Sequence, residues 1–144
     1  MSRSKEAIEL GWWEYVLLPS LGHKIIKAKC DTGATLSAIH TLNTNFTKIG
    51  ETQLVEFQID ENGPIFKEVV TRFIEVKSSN GESQNRPIIL LPIILAKENF
   101  AIECTLTDRA SMNFEMLIGR NALSGRYLIN SSFENIYPKP RNKK

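Results

Sequence analysis

Lys27-Ala28-Lys29-Cys30-Asp31-Thr32-Gly33-Ala34 is the stretch on which the reading of this chain turns. Up to Cys30 it alternates. Ile26, Ala28 and Cys30 point one way, and Lys27 and Lys29 point the other. That pattern predicts a strand over Lys24 to Cys30 with one buried face. The alternation stops at Asp31-Thr32-Gly33, so a carboxyl group stands at the end of a strand. Gly33 has no Cβ, so the chain can turn sharply there and its N–H can approach a carboxylate. Thr32 offers a hydroxyl able to bond across a symmetric contact. An Asp so placed can activate a water against a carbonyl and move protons. The plainer reading is an Asp that caps the turn after a strand.

One carboxylate is not enough for acid proteolysis. Two must lie close and share a proton, so that one acts as base and the other as acid. The sequence has no second Asp-Thr-Gly or Asp-Ser-Gly, and Asp60 and Asp108 lie in unrelated contexts. A two-fold dimer supplies the missing partner, because symmetry brings the same loop to both sides. The expected catalytic set is therefore Asp31, Thr32 and Gly33 from each of two chains. Ala34 is expected against the substrate backbone.

Outward from this loop the chain reads as β-structure. It has 144 residues, enough to bury a core without disulfides or metal. Polar turn segments recur at Gly50-Glu51, Asp60 to Pro64, Ser78 to Gly81 and Gln84 to Pro87, with β-prone runs between. Strands are predicted over Trp12 to Leu18, Lys24 to Cys30, Ala101 to Leu106, Met116 to Ile118 and Tyr127 to Ile129. Two hairpins are predicted: Leu54 to Ile59 with Phe66 to Phe73, and Phe73 to Lys77 with Arg86 to Leu91. Helical signal is confined to Arg120 to Leu123, closed by Gly125. The fold class is all-β, a barrel or sandwich with one short C-terminal helix.

A second signature is Leu117-Ile118-Gly119-Arg120-Asn121-Ala122-Leu123. Two aliphatic residues, a glycine and a short helix can pack beneath a catalytic loop. Together, Ala28 to Ala34 and Leu117 to Leu123 resemble the two halves of the retropepsin core of retroviral proteases. A narrower resemblance runs from about Gly11 to Asn130. It covers Gly11 to Val16, Leu18-Pro19, Leu21-Gly22, Lys27 to Ala34, Ser37 to His40, Ser78 to Gly81, Arg86-Pro87, Leu106 to Arg109, Met112 and Leu117 to Arg120. These pieces are similar to the bacterial and archaeal retropepsin-like proteins long labelled "ATP-dependent zinc proteases", neighbours of RimK-type ATP-grasp peptide ligases. The resemblance implies a closed retropepsin-like (acid protease) barrel, a homodimer with an Asp31 dyad, and a peptide substrate tied to the ligase pathway, such as glutamate-rich tails. Retroviral proteases usually carry an acidic residue just after the Ala, which pairs with the Arg matching Arg120. Thr35 stands there and cannot make that ion pair.

Arg86, Arg109 and Arg120 are candidates for a cationic cleft that grips acidic peptides, since guanidinium holds carboxylates two-pronged. The alternative is separate surface ion pairs. Ser79-Asn80-Gly81 and the Asp60 to Gly63 turn compete as the flap over substrate. His23 and His40 are the only histidines, without HExxH or paired Cys spacing, so no metal is expected, and His40 is expected to be hydrogen-bonded. No phosphate-binding glycine loop is present, so no cofactor is expected. Cys30 falls on the buried face, where a thiol is inert.

The formal net charge of +2 is too small to argue for nucleic acid or a membrane surface. Two cysteines are too few for a disulfide framework. Met1 to Glu9 is polar, and the longest apolar run, Ile88 to Ala96, is too short to span a bilayer. A cytoplasmic protein is expected. Residues 1–10 are expected to be flexible, 11–137 to form the barrel, and 138–144 a basic, solvated tail. The expected function is an aspartic-type peptidase with its site at a homodimer interface. Its rivals are a non-catalytic peptide-binding dimer of the same fold and a metal-dependent hydrolase, which lacks ligands.

Overall fold

The computed structural model describes residues 7–77, 80–108 and 113–141. In chain order its strands are β1 (Ile8–Leu10), β2 (Trp13–Leu18), β3 (Lys24–Cys30), β4 (Ser37–His40), β5 (Leu42–Ile49), β6 (Thr52–Gln58), β7 (Phe66–Val69), β8 (Arg72–Lys77), β9 (Ser83–Leu95), β10 (Glu98–Thr107), β11 (Met116–Ile118) and β12 (Tyr127–Ile129). One helix, α1 (Arg120–Leu123), precedes β12. Strands β10, β4, β11, β3, β2 and β9 are hydrogen-bonded in that order, and β9 pairs back onto β10. The six strands are thereby closed into a barrel. No helix among the described residues is long and apolar enough to cross a membrane.

The alternation in β3 survives folding: Ile26, Ala28 and Cys30 are buried, and Lys27 and Lys29 are exposed. The core inside the barrel holds these three with Val16, Leu18, Ile39, Leu91, Ile93, Leu106, Met116 and Ile118. Each fully buried aliphatic side chain there contributes about 1.5–3 kcal/mol. Strand β11 inserts between β3 and β4, parallel to the first and antiparallel to the second. That insertion brings the two signatures, far apart in sequence, to the same end of the barrel.

Several boundaries differ from the sequence reading. The strand expected over Phe66 to Phe73 is two strands. The Val70 N–H bonds to Gln53 O and the Thr71 N–H to Ile88 O, so the chain crosses there from one sheet to another. Strands β5, β6 and β7 make a separate three-stranded sheet, and β8 joins the barrel sheet through β9. Strand β9 continues through Pro92, which lies opposite Ala101 of β10. On its other flank β8 stops at Ile88 and β2 starts at Ile94, so the missing N–H breaks no ladder bond.

Ile8–Leu10 pairs in parallel with β12, and Leu10 is fully buried. The basic tail does not leave the surface at once. The Lys139 Nζ lies 5.6 Å from the centre of the Tyr15 ring. The remainder of that tail, residues 142–144, lies outside the described residues.

Candidate active site

Asp31 follows the last residue of β3, and its N–H donates to Ile118 O at 2.8 Å. β11 thus holds the loop at its root. The Asp31 Oδ1 accepts the Gly33 N–H at 3.0 Å, and the Ala34 N–H bonds back to Asp31 O at 3.2 Å. This is the tight turn that Gly33 was expected to permit. A Cβ on Gly33 would come within 3.3 Å of the Asp31 carboxylate. Asp31 is half-buried, while Thr32 and Gly33 are exposed. The carboxyl therefore sits at a surface, open to a second molecule, on a loop whose backbone is fixed.

The far side of the loop is fixed by α1 and the residue before it. The Arg120 N–H donates to Ala34 O at 2.8 Å and the Asn121 N–H to Thr35 O at 3.1 Å. The Arg120 guanidinium donates to Thr32 O at 3.0 Å and to Thr35 Oγ1 at 3.1 Å. A hydrogen bond from the Arg120 guanidinium to the neutral Thr35 hydroxyl thus stands in place of an ion pair, and Arg120 braces the loop. Gly119 is required by close approach: a Cβ there would lie 2.5 Å from Leu36 O.

Beneath the loop lies a polar knot that sequence reasoning missed. The Asn121 Oδ1 accepts from the Ser37 N–H at 3.1 Å and from its hydroxyl at 2.9 Å. The Asn121 amide nitrogen donates to Glu103 O at 2.7 Å, and the Gly119 N–H donates to Ser37 Oγ at 3.0 Å. Ser37 is fully buried. Asn121 lay within the second signature, but nothing in its local sequence says that it faces Ser37, 84 positions away.

The other candidates scatter. Arg86 is half-buried on β9 and its Nε donates to Gln84 Oε1 at 2.8 Å. Arg109 lies outside the described residues, as does Ser79. Asp60 is bound by Lys24 at 3.1 Å, at the opposite end of β3 from Asp31. Seven strand residues span roughly 23 Å, so the Asp60 to Gly63 turn is held away from the loop. The β8–β9 hairpin is different. Among the described residues, Ser83 to Pro87 pair with β8 alone, which makes the end of this hairpin a two-stranded arm beyond the barrel.

The expectation for His40 is not met at one atom: among the described residues its buried Nδ1 has no hydrogen-bond partner, nor has the hydroxyl of Thr107 beside it in register. Burial first, then the Glu14 charge, pushes the Cys30 thiol up to about 12. A thiol so held stays protonated and is a poor nucleophile. Among the described residues, no group of three or more His, Cys, Asp or Glu is placed to hold a metal ion.

A family model described as "Retropepsin-like aspartic endopeptidase RimB" matches residues 9–140. The chain belongs to the RimB-like family of retropepsin-like aspartic endopeptidases. Among curated proteins it is similar to a "Probable alpha-L-glutamate ligase" of Shewanella pealeana, 37% identical over 130 residues, covering 85% of this chain and 28% of that protein. One of the same name from Parasynechococcus marenigrum is 34% identical over 128 residues, covering 85% of this chain and again 28% of the relative. The chain thus spans little more than a quarter of these relatives. Among solved structures, the crystal structure of Lpg0085, a protein of unknown function from Legionella pneumophila, superposes with a TM-score of 0.75 at 22% identity. It covers 91% of this chain and 98% of its own, a likeness of fold.

Proposed function

We propose that the protein is an aspartic-type peptidase that works as a homodimer, with Asp31 of each chain forming the catalytic pair. The observation that carries this reading is the Asp31 carboxylate, half-exposed at the tip of a loop whose backbone is tied on both sides. Such bracing fits a group that must meet its twin in one geometry. Two carboxyls in contact share one proton. The ionised one takes a proton from a bound water, which attacks the amide carbonyl. The protonated one hydrogen-bonds the carbonyl oxygen and supports the developing charge. Collapse of the tetrahedral intermediate with a proton to the leaving nitrogen breaks the C–N bond and restores the pair. Thr32 bonds across the two-fold axis, Gly33 lets the loop close, and Ala34 lies along the substrate backbone.

The substrate class is inferred from the relatives. In proteins named as glutamate ligases, a segment similar to this chain is part of the same polypeptide. Covalent linkage keeps two activities at one substrate. We assign glutamate-rich peptide tails as the substrate, removed or trimmed by this domain. Arg86 and Arg109 are assigned to the side-chain carboxylates, and the β8–β9 arm covers the bound peptide. Arg120 acts mainly on the loop, where its donors are engaged.

The test compares wild-type protein with Asp31→Asn on glutamate-tailed and unstructured peptides, with cleavage followed by mass spectrometry. Asp31→Asn should lose at least about 1000-fold in kcat, since the pair can no longer divide base and acid roles. Equal cleavage by both proteins would overturn the reading.

A further inference from the structure

We propose that the C-terminal segment Asn130 to Tyr137 is a strap that positions the Asp31 loop, and that the buried carboxylate of Glu14 is the clasp holding it. This deepens the peptidase reading and rests on it for its kinetic consequence.

Glu14 sits in β2 with 1% of its surface exposed. A strand Glu normally faces water, and a buried carboxylate is costly unless fully hydrogen-bonded. The hydrogen bonds it accepts come from main-chain donors. Its Oε2 accepts the N–H of Gly11 at 2.8 Å and of Ile136 at 3.0 Å, and its Oε1 accepts the N–H of Tyr137 at 3.1 Å. One side chain therefore ties the chain before β2 to a segment more than 120 residues later. None of these bonds involves Asp31. Their conspicuous product is the seating of the strap.

The strap reaches the loop through a single residue. The Trp12 N–H donates to Phe133 O at 2.9 Å, and the Trp12 carbonyl accepts the Cys30 N–H at 2.8 Å. Cys30 directly precedes Asp31. Strap, Trp12, Cys30 and Asp31 thus form one backbone chain of contacts. Further along, the Asn135 N–H bonds to Trp13 O at 2.9 Å. The fit at the crossing is close. A Cβ on Gly11 would lie 2.7 Å from Phe133 O and 2.8 Å from the Glu134 Cα. With the strap seated, the root of the Asp31 loop is held by Trp12 through Cys30 and by Ile118, and its far side by Arg120. With the strap lifted, Trp12 loses its anchor on Phe133, and Ile118 and Arg120 are left to hold the loop.

Two variants lift the strap from different points. Glu14→Gln keeps the size of the side chain but turns one acceptor into a donor facing N–H groups. Gly11→Ala drives a methyl into the strap and leaves Glu14 intact. Amide hydrogen exchange, read at Ile136, Tyr137 and Cys30, measures the coupling without any substrate. Both variants should speed exchange at Ile136 and Tyr137, and also at Cys30, by about tenfold or more. On a cleaved peptide, kcat should fall about tenfold with KM nearly unchanged; a misplacement of about 1 Å at reacting groups costs about 100-fold. Peptide affinity alone would not produce that split. Faster exchange at Ile136 and Tyr137 with Cys30 and kcat both at wild-type values would overturn the proposal. Should wild type cleave nothing, the peptidase reading falls, and Cys30 exchange still decides the strap. Should Gly11→Ala fail to fold, Glu14→Gln carries the test.

Discussion

The Asp31 loop and the tip of the β8–β9 arm both turn the chain between strands, yet they are built in opposite ways. Around Asp31 the loop is bonded to distant residues: the Asp31 N–H to Ile118 O, Ala34 O, Thr32 O and Thr35 Oγ1 to Arg120, and Ser37 to Asn121. Gly119 beside it has no room for a single methyl. At the arm tip, Gly81 has a φ of +88°, and among the described residues nothing beyond its chain neighbours lies within 4 Å of where a Cβ would stand. The Glu82 N–H is turned back onto Asn80 Oδ1 at 3.1 Å, a bond between near neighbours. Glycine serves close packing in the first region and backbone shape in the second. A loop that must present a carboxylate in one geometry is anchored by distant parts of the chain. A hairpin end takes its shape from residues close by in sequence.

Substitutions can break or sharpen that contrast. The largest effect is expected from Gly119→Ala, whose methyl meets backbone that cannot move independently. It should cost about 3 kcal/mol or more, seen as a lower midpoint in urea, and should abolish cleavage. Asn121→Ala removes the acceptor for two Ser37 donors and the donor to Glu103 O. Its cost should be about 2 kcal/mol, with kcat falling more than KM rises. Arg120→Ala takes away the two side-chain bonds to Thr32 and Thr35 but leaves the backbone bracing. About 1 kcal/mol of stability should go, measured by thermal unfolding. Gly81→Ala meets only the strain of a left-handed backbone, about 1 kcal/mol, seen as a small drop in the urea midpoint. If Gly81→Ala proved as damaging as Gly119→Ala, the contrast between the two regions would be lost.

Alternation and turn residues sufficed for β3, β11, α1 and β12, because each has a clear periodic or punctuating signal of its own. They failed at β4 and β5. Ser37–His40 is four residues long, and Leu42–Ile49 is largely exposed on both faces, so neither carries a hydrophobic period. They failed at β1 too, where three residues in a polar terminus pair with β12 and bury Leu10 in the core. At the candidate site, the turn of Asp31, Thr32 and Gly33 at the end of β3 was legible because the alternation stops there. Ser37, Asn121 and Glu14 were not, because a buried polar side chain looks like a surface one until its partner is known.

By itself, then, the sequence determined a β-rich chain and one acid-bearing turn at the end of an alternating strand. Those features depend on neighbours a few residues apart. Only the tertiary structure decided that β11 would slot between β3 and β4, that Arg120 would brace the loop, and that a glutamate in β2 would hold the C-terminal segment. Each of these rests on pairing between residues roughly 80 to 120 positions apart. Such pairings are fixed by closure of the barrel, which no local pattern encodes.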